Sequence, residues 1–339
     1  MTSNEVFKRR LQEATALCAR YWMSGLRMRF RPTSLDDLAR QLEPNLSWHG
    51  KFEKAPYRSN KYRAYDKGER SPRSSLVTKI DAIRHPNRSG EGSKAEFEHV
   101  LWEILQGQPP TPQTCRRWLQ SLSIEVQAVA QKAPAHLAGR ESSHWIPVLR
   151  PLEFGLLRHR PGLDALALLT FVVQQAHRFG QDKLAHQAGH QVVQMLWQLS
   201  AHLDDRGLLI PFMEMFERWV LPATQLGGIR LALGGNIVPR SELLRFALKV
   251  RMSVNKEAGG KSAEGTELRR ILRWAPRSDL FFVYAARYIP VSGFVLTEQE
   301  QRQCGQPQTT LEKQLLLPEA VSMLAASRNQ RTGSGAGLE

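Results

Sequence analysis

Leu163-Asp-Ala-Leu-Ala-Leu-Leu-Thr-Phe-Val-Val-Gln-Gln-Ala-His-Arg-Phe179 is apolar on nearly every side of a 3.6-residue period. Such a helix has no stripe to give to water, so it belongs inside a bundle of other helices. Working outward, residues 118–130, 183–203, 212–220, 241–254, 267–274 and 280–288 carry apolar side chains at three- and four-residue spacing, as in Leu184, Ala188, Val192, Leu196 and Leu199. Pro161-Gly162, Gly180, Gly207 and the glycine pairs at 227–228, 234–235 and 259–260 punctuate them. Toward the amino terminus, residues 5–28 place Leu11, Ala14, Leu17 and Cys18 on one face, and residues 96–106 do the same with Phe97, Val100, Leu101 and Leu105, with Trp102 beside them. The pattern predicts an all-α chain.

A length of 339 residues implies roughly two domains. Gly107-Gln-Pro-Pro-Thr-Pro112 cannot continue a helix and reads as a stiff connection. The predicted organisation is therefore a basic domain over 1–108, a proline-rich linker over 109–114, and a larger helical bundle or array of helix pairs over 115–325. Residues 326–339 are polar and glycine-rich, the composition of a flexible tail.

Hydrophobic residues make up 42% of the chain, and none of its apolar runs approaches the ~18 residues of a membrane span. The first twenty residues are broken by charge and form no signal-peptide core. Cys18, Cys115 and Cys304 lie far apart without metal-ligand spacing, which predicts reduced thiols in a cytoplasmic setting and neither a disulfide framework nor a zinc module. The formal net charge of +15 favours polyanionic partners. That charge is focused, with eleven Lys and Arg against four Asp and Glu between residues 51 and 90.

Three short helices are predicted in and beside this basic segment. Ser34 and Asp37 form a capping pair ahead of Leu35, Leu38, Ala39 and Leu42. Ser59 caps a second helix through Lys61, Tyr62, Arg63, Ala64 and Tyr65, stopped by Gly68. Ser71-Pro72 opens a third, with Leu76, Ile80 and Ile83 on one side. In Leu35–Leu42 and in residues 59–80 the chain resembles the Cro/repressor-type helix-turn-helix family, with the second helix in the place of the recognition helix. The resemblance covers under a sixth of the chain. It departs from the family in one respect: residues 43–58 are inserted where the family has a tight turn. It implies binding of duplex DNA in the major groove, with Asn60, Lys61, Arg63, Lys67, Arg70, Arg73 and Lys79 as the nucleic-acid-binding residues, and commonly a homodimer.

Other signals carry less. Residues 255–262, Asn-Lys-Glu-Ala-Gly-Gly-Lys-Ser, end like a phosphate-binding loop but lack its first glycine and the strand that should precede it. His186 and His190 stand one helical turn apart beside the apolar stripe of residues 183–203, as ordinary surface or boundary histidines do, without the acidic partner of a zinc protease motif. Residues 240–280 hold ten basic against five acidic residues, a second basic region that suits either a phosphate-tracking surface or a solvated helix face. Neither a catalytic set, a cofactor site nor a metal site is expected. The leading expectation is a DNA-binding regulator or accessory protein whose carboxy-terminal helices self-associate or hold a partner. A non-specific nucleic-acid-binding subunit of a larger nucleoprotein complex comes second, and an enzyme acting on nucleic acid or nucleotide third.

Overall fold

The computed structural model describes residues 2–43, 60–83, 92–132, 135–137, 145–147, 149–233 and 286–305. Most of the insertion at 43–58, Ser59, residues 241–254 and 267–274, the second basic region, the 255–262 segment and the tail lie outside these residues. Within them the chain is all-α, with two short antiparallel ribbons.

Helix α1 (Ser3–Phe30) begins at a capping box in which the Thr2 hydroxyl accepts from Glu5 N while the Glu5 carboxylate accepts from Thr2 N at 2.6 Å. There follow α2 (Leu35–Leu42), α3 (Asn60–Lys67), α4 (Ser74–Asp81), α5 (Ser93–Phe97), α6 (Val100–Gln106), α7 (Pro112–Gln120) and α8 (Ile124–Lys132). Strands β1 (Ala135–Leu137) and β2 (Trp145–Pro147) pair antiparallel. Helices α9 (Pro151–Arg158), α10 (Leu163–Arg178), α11 (Asp182–Asp205) and α12 (Leu209–Trp219) complete the body. They are followed by a 3₁₀ turn (Leu221–Thr224), strands β3 (Ile229–Ala232) and β4 (Arg287–Pro290), and α13 (Glu298–Gly305). β3 and β4 pair antiparallel, with Arg230 opposite Ile289 and Leu231 opposite Tyr288.

Helix α10 takes the central place that its composition demands. It is buried from Ala165 to Val173 without a break, and Thr170, also buried, turns its hydroxyl back to Leu166 O at 2.7 Å, so that hydroxyl is not stranded. Against it runs α11, whose Leu184, Ala188, Val192, Leu196 and Leu199 are all buried.

Two expected helices are broken in two. Residues 96–106 divide at His99, whose Nδ1 accepts from Leu101 N at 3.1 Å and starts α6, while its Nε2 pairs with Asp164 Oδ1 at 3.1 Å. Residues 118–130 divide at 121–123, where Ser123 N donates to the other oxygen of Asp164 at 3.2 Å. One carboxylate on α10 thus organises both breaks. Pro72 lies just outside α4, whose N-cap is Arg73, and not in its first turn. Residues 287–288, expected to end a helix, belong to β4 because the backbone groups of Arg287 and Tyr288 pair across to β3.

The proline-rich stretch is a corner between helices of a common core. Thr111 caps α7 and Pro112 opens it, as proline does where the N–H is dispensable. Ala14, Leu17, Val100 and Leu105, from before the corner, share one buried cluster with Trp118, Phe171, Val192 and Phe216 from after it. A second, smaller cluster holds Trp22, Met23, Leu26, Leu38, Ala39, Leu42, Tyr62, Tyr65, Val77 and Ile80. Of the two histidines expected at a surface or boundary position on α11, His186 is buried and His190 half-buried. His186 is buried with Nδ1 2.8 Å from Thr224 O, and His190 Nε2 meets the Tyr288 hydroxyl at 3.0 Å. The tyrosine ring stacks on His186 at 5.8 Å, so the pair is enclosed by β4, an element not expected at that place. Burial, reinforced by His186, pushes the His190 imidazole down to about 4.

Candidate nucleic-acid interface

The small cluster holds together a lobe made of α2, α3, α4 and the second half of α1. On α2 the Ser34 hydroxyl accepts from Asp37 N at 3.0 Å, as a capping pair should, whereas the Asp37 carboxylate reaches past the cap to Thr33 N at 2.9 Å. That backbone bond is the first cause holding Asp37 below the usual carboxylate range. Leu38, Ala39 and Leu42 face inward. On α3 the inward residues are Tyr62 and Tyr65, three apart, meeting edge-to-face with ring centroids at 6.0 Å. Trp22 of α1 closes on Tyr65 at 6.3 Å and on Phe97 at 5.9 Å.

Gly68 terminates α3 at φ 74°, a left-handed conformation that favours glycine. It also lies so close to α1 that a β-carbon would stand 2.9 Å from Ala16 O. The turn after α3 is therefore pressed onto α1, which fixes where α4 begins. Val77 and Ile80 then pack inward.

With the tyrosines inside, positions 60, 63 and 67 fall on the opposite side of α3 by helical spacing. Arg63 and Lys67 are exposed there. Arg63 stands 3.9 Å from Asp36, and Lys67 stands 3.7 Å from Glu69 in water. Arg70 and Arg73 in the turn and Lys79 on α4 are exposed and make no ion pair with the described residues. Asn60 opens α3.

Lys61 behaves differently. It lies on the flank of α3, and its ammonium pairs with Glu43, a carboxylate buried at the end of α2. The same Glu43 oxygen accepts the Tyr62 hydroxyl at 2.9 Å, and the Lys61 ammonium also stands 5.1 Å from the Tyr62 ring centroid. Burial first, then the Glu43 carboxylate, pushes the Tyr62 hydroxyl far above its ordinary range. Lys61 is thus the counter-charge of an interior carboxylate. No local pattern announces this, since Glu43 and Lys61 are distant in sequence and meet only once α2 and α3 pack. Asp66, on the other flank, takes Arg27 of α1 at 2.7 Å.

The lobe meets the body at Ser24 in the second half of α1, whose hydroxyl accepts from Arg206 Nη1 at 3.4 Å. Arg206, at the end of α11 and almost wholly buried, reaches Glu96 at 2.8 Å, lies 4.1 Å from the Tyr21 ring centroid and donates to Tyr21 O at 3.2 Å. Between the turn at Ser71 and helices α5 to α7 is a cleft of about 430 Å³ with aromatic walls from Phe97, Trp102 and Trp118. At its edge Glu103 accepts from Trp118 Nε1 at 2.7 Å and pairs with Arg117. Among the described residues there is no cluster of three His, Cys, Asp or Glu side chains placed for a metal, and no helix is long and apolar enough to cross a membrane. No family model, curated protein or solved structure matches the chain.

Proposed function

We propose that the amino-terminal lobe binds nucleic acid, with duplex DNA as its first target and the outer side of α3 presented to the major groove. The observation that carries this reading is the exposed cationic run of Arg63, Lys67, Arg70, Arg73 and Lys79 on a lobe whose inner faces are immobilised by Trp22, Tyr62 and Tyr65. Cations on a rigid surface meet phosphates without first losing side-chain and backbone freedom, and three of these five have no carboxylate to leave among the described residues. In this reading Arg63 and Lys67 approach base edges, while Arg70, Arg73 and Lys79 track the backbone. The helical body serves self-association or a protein partner, and light scattering with and without duplex measures whether a homodimer forms.

A second reading has its own support. Lys61 is spent on Glu43, and Arg63 faces Asp36, so fewer cations remain on α3 for base edges than the motif suggests. A lobe that grips only phosphates fits a subunit of a larger nucleoprotein assembly.

Enrichment of duplexes from a random library by the purified chain separates the two. A single enriched sequence supports a regulator, and equal retention of duplex, single strand and RNA supports the assembly subunit. Joint replacement of Arg70, Arg73 and Lys79 by Gln should flatten the dependence of log affinity on log salt by about 2 to 3 units, near 0.9 for each phosphate contact. Lys183→Gln on exposed α11 surface is the control, and an equal effect there, or no binding at low salt, defeats both readings.

A further inference from the structure

The cleft between the lobe and the body joins two sides of opposite chemistry. On the lobe side its lip is Ser71, in the exposed turn between α3 and α4. Arg70 adjoins Ser71 and Arg73 stands two residues on, within about 7 Å along the backbone. Both are exposed and neither makes an ion pair with the described residues, so the mouth is bordered by positive charge that is open to phosphate.

The body side is apolar below and acidic above. Phe97, half-buried, forms the near wall, and its carbonyl accepts from Cys18 Sγ of α1 at 3.3 Å. Trp102 and Trp118 form the back wall from the core. Their indole N–H groups are already taken, Trp102 Nε1 by Glu96 O at 2.9 Å and Trp118 Nε1 by Glu103 at 2.7 Å, so they add no unsatisfied donor to the cleft. Above this wall stand the carboxylates of Glu98 and Glu103. Glu103 is paired with Arg117, whereas Glu98 has Lys94 at 3.9 Å, both in water. Gln106, three residues beyond Glu103 on α6, adds a side-chain amide that makes no hydrogen bond to the described residues.

This polarity selects the occupant. A phosphate inside the cleft meets two carboxylates, and a cationic side chain entering past Arg70 and Arg73 is repelled at the mouth. A nucleotide has the matching arrangement, with its anionic phosphate outside and a planar ring bearing N–H donors inside. The volume of about 430 Å³ lies within the range of small-ligand sites, about 300 to 1,000 Å³. A base held in a duplex cannot reach such a wall, since its ring must first leave the stack. We propose that the cleft takes up one unpaired base of a strand whose phosphates lie on Arg70 and Arg73, with the ring against Phe97 and its exocyclic amine donating to Glu98 or Glu103. Uptake of this kind presupposes that the lobe binds nucleic acid, and it narrows the target to strands carrying an unpaired or extruded base. Adenine, cytosine and guanine offer an exocyclic amine and thymine does not, so thymine is the disfavoured base.

The test uses the full chain and labelled duplexes that differ at one position: fully paired, or carrying one extra adenine, one extra thymine or one extra abasic unit. The abasic unit matches the flexibility of the others without a base. Fluorescence anisotropy at fixed salt should show the adenine duplex bound about tenfold more tightly than the abasic one, the worth of one base stacked on an aromatic wall, and more tightly than the thymine one. Gln106→Trp, which fills the cleft from the half-buried side of α6, should bring the adenine-to-abasic ratio near one. Glu98→Gln, on the exposed rim, should narrow the preference for adenine over thymine, and it keeps the test decisive if the tryptophan variant does not fold. Equal binding of adenine and abasic duplexes by the native chain overturns the base site, while salt-dependent binding of the paired duplex leaves the nucleic-acid reading of the lobe standing. Absence of binding to every duplex overturns both. An adenine preference that survives undiminished in both variants places the base elsewhere and overturns the assignment to the cleft.

Discussion

Lys61→Met separates an interior counter-charge from a groove-reading lysine, two roles that make opposite demands. Only 7% of the Glu43 side chain is exposed, whereas 36% of Lys61's is, so the pair is half in solvent. Breaking a fully buried pair costs about 3 to 5 kcal/mol, because the remaining charge is stranded. Solvent at the lysine end, and the surviving bond from the Tyr62 hydroxyl, reduce this to about 1 to 2 kcal/mol. Tyr62→Phe removes a hydrogen bond to a charged acceptor and should cost about 1.5 to 3 kcal/mol. Because both donors serve one oxygen, the double variant should depart from additivity by 0.5 kcal/mol or more, on the order seen for groups sharing one network. Urea unfolding of the native chain, both single variants and the double variant measures all four corners, and duplex affinity is read at a temperature where each is folded. A Lys61→Met protein that keeps native stability yet loses about tenfold in duplex affinity would refute the assignment and return Lys61 to the groove.

Three further outcomes follow from the packing. His190 is neutral when folded, with a pKa near 4, but titrates near 6.5 when unfolded, so the unfolded chain takes up the extra proton as pH falls. Stability from this group is complete above about pH 6.5 and declines by about 3 kcal/mol toward pH 4; urea midpoints across that range should fall less steeply in His190→Gln, and identical slopes would dismiss the explanation. Gly68→Ala places a β-carbon against Ala16 O at a positive φ and should destabilise the lobe by about 1 to 3 kcal/mol, measured as earlier loss of amide protection in α3 and α4 than in α10. Arg206→Leu strands Glu96 and should cost about 3 kcal/mol or more in urea, whereas a change below about 0.5 kcal/mol would mean that the pair contributes nothing.

The elements legible in the sequence are those whose determinants are local. Helix α10 is written in its own composition, α2 in Ser34 and its apolar spacing, and the end of α3 in Gly68. The inward direction of Tyr62 and Tyr65 follows from spacing alone. The illegible features depend on distant partners. The breaks at His99 and at residues 121–123 contain neither glycine nor proline, and Asp164 of α10 imposes both. The β4 strand exists because β3 supplies its hydrogen bonds, so residues 287–288 carry no sufficient signal of their own. His186 and His190 resemble boundary residues until Tyr288 covers them.

Helix α1 is 28 residues long, about 42 Å at 1.5 Å per residue, and its two halves belong to different apolar clusters. Ala14, Leu17 and Tyr21 are fastened in the body, while Trp22, Met23 and Leu26 are fastened in the lobe. Mechanically the helix is a beam shared by two rooms, without a joint at the wall. A torque applied to α3 and α4 is delivered straight into α6 and α12, so the lobe cannot swivel while the body stands still. It follows that cutting the chain at the proline corner near residue 108 does not free a working module. It leaves a beam with one end unsupported, its Ala14, Leu17 and Val100 stripped of the helices that cover them.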